Sequence, residues 1–226
     1  MTEKRASFTV RYEDDDLAVI SKPAGVVVHP GNGNKTDTLT QLLTKRWPEL
    51  TKRERSGLLH RLDKNTSGLL LIAKTSAAAD ALNEQFADRT ITKRYAALVV
   101  GVPKEAKGII DAPITRHHAD RKKMTVRPDG KPSKTTYSVV DRIGKYALLN
   151  VWIETGRTHQ IRVHLAALGH PIVGDAEYGE VDLRLGRQFL HAIELRFWHP
   201  TTGKEVVITD ELAGDLQEFL DTIEKQ

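Results

Sequence analysis

Cysteine is absent from the chain, which excludes disulfides and any thiolate zinc site. No apolar run approaches the roughly 18 residues needed to span a bilayer. The N-terminus, MTEKRASFTV, lacks the apolar stretch of a signal peptide, so cytoplasm is the expected location. No G-x-G-x-x-G occurs, which argues against a dinucleotide fold. His159, His164 and His170 do not have H-E-x-x-H spacing, so capping and hydrogen bonding are expected of them and no metal is. No repeat or low-complexity linker divides the chain, and one domain over residues 1–226 is expected.

What is present is a globular chain with a basic body. Hydrophobic residues make up 39%, too many for a disordered segment. The net charge of +4 is unevenly spread. Asp210 to Gln226 carries six acids and one Lys, a charge of −5, leaving +9 on the remainder. A basic body points toward a polyanionic partner.

Periodicity predicts strands at Phe8–Tyr12, Leu17–Ile20, Val26–Val28, Tyr95–Val100, Tyr137–Val140, Tyr146–Ile153, Phe189–Trp198 and Glu205–Ile208. It predicts helices over Asp37–Trp47, capped by Asp37, over Ser76–Asp88, over Thr158–Leu168 with Ile161, Leu165 and Leu168 buried, and over Glu211–Ile223. Interspersed strands and helices without regular alternation make the fold class α+β. Thr115 to Lys134 reads as irregular; its seven Lys and Arg against two Asp suit an RNA-contacting arm or a soluble charged loop.

The stretch HRLDKNTSGLLLIAKT, His60 to Thr75, is the candidate centre. Arg61 and Asp63 open it, a polar turn follows, and Leu69 to Ala73 is unbroken apolar. With Leu58-Leu59 upstream, it reads as a loop held between two buried strands, a rigid way to present a carboxylate. Two further clusters carry chemistry: Lys93-Arg94-Tyr95 and the run from Gly156 to Leu165. On a helical wheel Arg162 borders the apolar stripe, so it needs an acid partner. Asp63 is one candidate; Glu154 or Asp175 at the surface is the alternative.

HRLDKNTSGLLL resembles the catalytic motif of the RluA-type pseudouridine synthases. Lys22-Pro23-Ala24-Gly25 with Val28-His29-Pro30, Lys93-Arg94-Tyr95, Thr155 to Leu165, Gly169 to Asp175 and Leu190-His191-Ala192 are similar to other motifs of that family, in the expected order. The likeness runs from Phe8 to Ile208. The N-terminal RNA-binding domain that many relatives carry is not seen in this sequence.

The resemblance implies a central mixed or mainly antiparallel sheet with flanking helices and a cleft across it. It implies conversion of uridine to pseudouridine in ribosomal or transfer RNA, without metal or cofactor. Nothing in the sequence reports oligomeric state, and a monomer is the expectation. Asp63 is the implied essential carboxylate, with Arg162 orienting it and keeping it ionised. Tyr95 is implied to stack under the base and help remove its proton. Arg61 is implied to fill the space vacated by the extruded base, and Leu165 to shape the uracil pocket. His60, Thr66, Arg121, Lys122 and Lys123 are further expected substrate contacts. The rivals are a non-catalytic RNA-binding protein and a nucleosidase using Asp63 as a lone acid. The sequence offers no evident second carboxylate for glycoside hydrolysis.

Overall fold

A run of seven buried residues, Ser67–Ala73, is the innermost strand of the N-terminal part of the protein. The computed structural model describes residues 7–30 and 38–225. In chain order the elements are β1 (Thr9–Glu13), β2 (Leu17–Lys22), α1 (Leu39–Arg46), β3 (Ser67–Ala73), α2 (Ser76–Ala87), β4 (Thr92–Val100), β5 (Lys107–Asp111), β6 (Ile114–Arg116), β7 (Met124–Val126), β8 (Lys134–Ile143), β9 (Tyr146–Ile153), α3 (Gln160–Ala167), β10 (Leu190–Trp198), β11 (Glu205–Thr209) and α4 (Gly214–Glu224). Two short 3-10 turns lie between α1 and β3. The chain forms two compact units, Met1–Ile91 with Glu194–Glu211, and Thr92–Ile193 with Leu212–Gln226. The α+β expectation holds.

In the first unit β1, β2 and β3 are antiparallel, with Val19 opposite Leu71 and Leu17 opposite Ala73. Leu69 to Ala73 and Leu17 to Ile20 are fully buried. Each such leucine contributes about 1.5–3 kcal/mol by leaving water. The far end of β10 pairs with β11. Helix α1 starts at Leu39 with Thr38 as N-cap; Gln41 accepts from the Thr38 amide at 3.0 Å. The expected cap Asp37 and most of the Pro30–Gly33 turn lie outside the described residues.

Val26–Val28 is not a strand. Its carbonyls serve α1 instead, with Val27 accepting from Leu39 N at 2.8 Å and Val28 from Thr40 N at 3.1 Å. Leu58-Leu59 is not a strand either. Leu58 makes one isolated bridge to Ile72, and Leu59 N donates to Leu71 O at 3.3 Å. The preceding Gly57 has φ +74°, and a Cβ there would lie 2.3 Å from the carbonyl oxygen of Ala73, so glycine lets the chain lie against β3.

In the second unit β4, β9, β8 and β5 form an antiparallel sheet in that order. Strand β5 was not foreseen. The stretch read as irregular is largely a two-stranded ribbon, β6 against β7, with Ile114 opposite Val126 and Arg116 opposite Met124. Helix α3 begins at Gln160, two residues later than predicted. Ile161 and Leu165 are buried, but Leu168, expected in the stripe, is 41% exposed at the helix end. Leu216, Phe219, Leu220 and Ile223 form the buried face of α4.

Candidate active site

The Asp63 loop is fastened along its length. The Leu71 amide donates to Nε2 of His60 at 3.0 Å, and the His60 ring lies 5.5 Å from that of Phe86. The Asp63 carbonyl accepts from Thr66 N at 3.2 Å, closing a turn over Lys64-Asn65, and Thr66 is buried. The Lys64 carbonyl accepts from Gly25 N at 2.9 Å and from Nζ of Lys22 at 3.0 Å. Lys22 is wholly buried, and its ammonium also donates to the carbonyls of Pro23 at 2.9 Å and Val26 at 3.0 Å. Asp63 is half-buried and Arg61 exposed. Burial and the positive charges of Arg61 and Arg55 push the His29 imidazole below its ordinary pKa.

In the second unit Arg162, 5% exposed, lies on α3. Its Nε and Nη2 donate to the two oxygens of Asp175 at 2.7 and 2.8 Å, and Nη2 also donates to Glu177 at 2.8 Å. Asp175 is thus an acid partner of Arg162, in the interior rather than at the surface. Its Oδ1 also accepts the amides of Glu177 at 3.0 Å and Tyr178 at 3.2 Å. Glu154, the other alternative, pairs with Lys134 at 2.7 Å.

The N-terminal turn of α3 rests on Gln160. Its Nε2 donates to the Lys134 carbonyl and the Thr135 hydroxyl, and its Oε1 accepts from the Thr155 hydroxyl and Arg157 N. His164, fully buried, bonds the Thr135 hydroxyl through Nδ1 at 2.8 Å and the Ala112 carbonyl through Nε2 at 2.9 Å. Leu165 beside it is fully buried. His159 bonds Tyr178 and His170 bonds the Val100 carbonyl.

Tyr95 is buried on β4 opposite Val151. Lys93, two residues earlier and on the same face of the strand, is also buried, and burial draws its pKa down to about 8. Arg121, Lys122 and Lys123 sit in the turn of the β6–β7 ribbon, the first two exposed. That turn is ordered by its own bonds. His117 N donates to the Lys123 carbonyl, Asp120 N to Nδ1 of His117, Lys122 N to the Asp120 carboxylate, and Arg116 to the Arg121 carbonyl.

The residues missed by sequence reasoning are Lys22 as a buried staple, Lys93 as a buried lysine, and Glu177 and Tyr178 as neighbours of Arg162. A lysine directly before Pro-Ala-Gly in an apolar setting was the one available signal for Lys22; Tyr178 carried none. Among the described residues Asp14, Asp16 and His199 group their ligand atoms within 4.8 Å, but they are bonded to one another and to neighbours. His199 Nε2 donates to Asp14 at 2.8 Å, and its Nδ1 accepts from Thr201 N and Thr202 N. Burial opposes ionisation of Asp14, yet hydrogen bonds from Tyr12, His199 and two amides hold its carboxyl down to about 2.

The fastened loop that carries Asp63 in the first unit and the buried bidentate Arg162–Asp175 pair in the second are the two charged arrangements that this α+β fold builds with most care. The family described as RNA pseudouridylate synthase matches residues 16–167, and the chain belongs to it. It is 44% identical over 95% of its length to ribosomal large subunit pseudouridine synthase D of Nitrosomonas europaea, covering 64% of that protein. The Xanthomonas campestris protein of the same name is also 44% identical, with 69% covered. An uncharacterized RNA pseudouridine synthase of Chloroflexus aurantiacus is 50% identical, with 63% covered. The chain therefore spans about two-thirds of the length of these relatives. Human RNA pseudouridylate synthase domain containing 1 has a TM-score of 0.73 at 28% identity, with 100% of this chain and 98% of that one covered. No helix among the described residues is long and apolar enough to cross a membrane.

Proposed function

We propose that this chain converts uridine to pseudouridine in structured RNA, acting in the cytoplasm as a monomeric catalytic domain. The observation that carries this reading is the half-exposed Asp63 on a loop fixed by His60 and Lys22, in a chain that belongs to the RNA pseudouridylate synthase family. Asp63 is the essential carboxylate, either attacking the nucleoside or taking the proton from sugar carbon 2. Arg162, preset by Asp175 and Glu177, orients it. Tyr95 stacks under the uracil and helps remove the proton from base carbon 5. Leu165 shapes the pocket, and His60 and Thr66 hold the loop that receives the base.

The base must leave its stack, which costs a few kcal/mol, and Arg61 occupies the place it vacates. Arg121, Lys122 and Lys123 contact phosphates. The reaction is redox-neutral and adds no group, and the family resemblance supports a reading without metal or cofactor. Large-subunit ribosomal RNA, named for two of the relatives, is the first substrate class to examine, and transfer RNA the second.

The test is carbodiimide mapping of pseudouridine in RNA from cells with and without the gene, complemented by Asp63→Asn. Loss of a site without the gene, restored by wild type and not by Asp63→Asn, is expected. Release of free uracil would make the protein a nucleosidase. An unaltered map would leave an RNA-binding protein without catalysis.

A further inference from the structure

Tyr178 lies where the basic ribbon meets the Arg162 network, and neither the motifs nor the reaction use it. The amide of Met124, the first residue of β7, donates to its hydroxyl at 2.7 Å. The same hydroxyl shares a hydrogen bond with Nδ1 of His159 at 2.8 Å, its direction set by the His159 tautomer. His159 is the left-handed N-cap of α3, at φ +56°, and Glu177 approaches the same nitrogen at 3.3 Å. The face of the Tyr178 ring carries the Arg162 guanidinium, 5.0 Å from the ring centroid. Burial pushes the phenol up to about 12, so it remains a hydrogen-bond donor at neutral pH.

One side chain therefore touches the ribbon, the start of α3 and the guanidinium that α3 carries. Its hydroxyl meets two protein groups, and the Tyr178 amide is itself held by Asp175, which also holds Arg162.

We propose that Tyr178 is a positioning residue that couples the ribbon's grip on RNA to the orientation of Arg162. This rests on reading the ribbon as an RNA contact and the protein as a pseudouridine synthase. The hydroxyl fixes the ribbon and so governs RNA affinity. The ring fixes the guanidinium and so governs turnover.

Tyr178→Phe and Tyr178→Leu separate the two roles, with a large-subunit ribosomal RNA transcript as substrate and filter-binding probe. Tyr178→Phe keeps the ring and loses both bonds. It is expected to weaken RNA binding and raise KM about threefold to tenfold, with a smaller change in kcat. The Met124 amide should exchange with deuterium faster than in wild type. Tyr178→Leu is expected to lower kcat at saturating RNA by about a further tenfold.

A Tyr178→Phe protein with wild-type RNA affinity and wild-type Met124 exchange overturns the proposal. So does a kcat that falls only in step with the folded fraction while KM stays fixed. Replacing Arg121, Lys122 and Lys123 by Ala is the control. If that leaves affinity unchanged, the ribbon is no RNA contact and the coupling falls with it. If it weakens affinity and Tyr178→Phe does not, the coupling alone falls. Absence of turnover by wild type sinks the synthase reading, while binding and exchange still decide the role of Tyr178.

Discussion

The buried ammonium of Lys22 donates to the carbonyl of Lys64, 42 positions along the chain and next to Asp63. With its bonds to Pro23 and Val26, it ties the Lys22–Val26 turn to the loop that presents the carboxylate. Lys22→Met keeps the volume of the stem and removes the ammonium donor from the carbonyls of Pro23, Val26 and Lys64, of which Lys64 keeps the Gly25 amide. A loss of about 1–3 kcal/mol in urea unfolding is expected. On the role proposed for Asp63, turnover should fall at least about tenfold, because misplacing a reacting group by an ångström is costly. A variant with both unchanged would make the staple incidental.

Asp175 is the second dependent position. It is fully buried and satisfies Arg162 at two nitrogens while holding two amides. Truncating one partner of such a pair strands the other, at about 3–5 kcal/mol. Asp175→Ala should lower the thermal midpoint accordingly, and Glu177→Gln, which removes only the charge of the half-exposed partner and keeps an acceptor oxygen, should cost well under half as much. Equal midpoints for the two would place the holding force elsewhere.

Much of this arrangement was legible in the sequence, for reasons that differ by element. The run Leu69–Ala73 could be read because a strand buried on both faces has no other composition. Arg162 could be read because a cation beside an apolar stripe must find an acid, and Asp175 was among the acids available. Val26–Val28 misled because its apolar side chains are buried while its backbone bonds go to α1. Strand β5 was missed because Gly108 resembles a turn residue. The glycine is there because the Tyr137 ring crosses it, leaving no room for a Cβ, which would lie 2.5 Å from the ring. The ribbon was hidden by its charges. It is held partly by Tyr178, 54 positions from Met124, and no local pattern reports such a bond.

Lys93 gives stability a pH dependence above neutrality. Its pKa in the folded protein is about 8, against 10.5 ordinarily. Between those values the unfolded chain binds more protons, so stability rises with pH. Equivalently, the contribution of Lys93 is fully present above about 10.5 and is lost as pH falls through about 8. Lys93→Met should remove that slope and, at pH 7, stabilise the fold by about 2–3 kcal/mol. Urea unfolding at pH 7.5 and 9.5 for both proteins reads the difference, and parallel changes would clear Lys93 as its source.

His164 acts in the acid direction. Burial lowers its pKa below the ordinary 6.5, against smaller opposing effects of the Ala112 carbonyl and the Asp111 charge. The neutral ring suits its surroundings, with Nε2–H donating to Ala112 and Nδ1 accepting from the Thr135 hydroxyl. Protonation would place a second N–H against an oxygen that already accepts from Gln160, and the hydroxyl would have to turn its own proton elsewhere. The unfolded chain takes up a proton near pH 6.5 and the folded one resists. The contribution of His164 is therefore present above that pH and is lost as pH falls through the lower folded value. His164→Gln retains a donor for Ala112 and has nothing to protonate. It should be less stable than wild type at pH 7.5, yet lose less stability than wild type on going to pH 5. Equal losses in the two proteins would show that the acid sensitivity arises at other groups, His29 first among them because its pKa is also lowered.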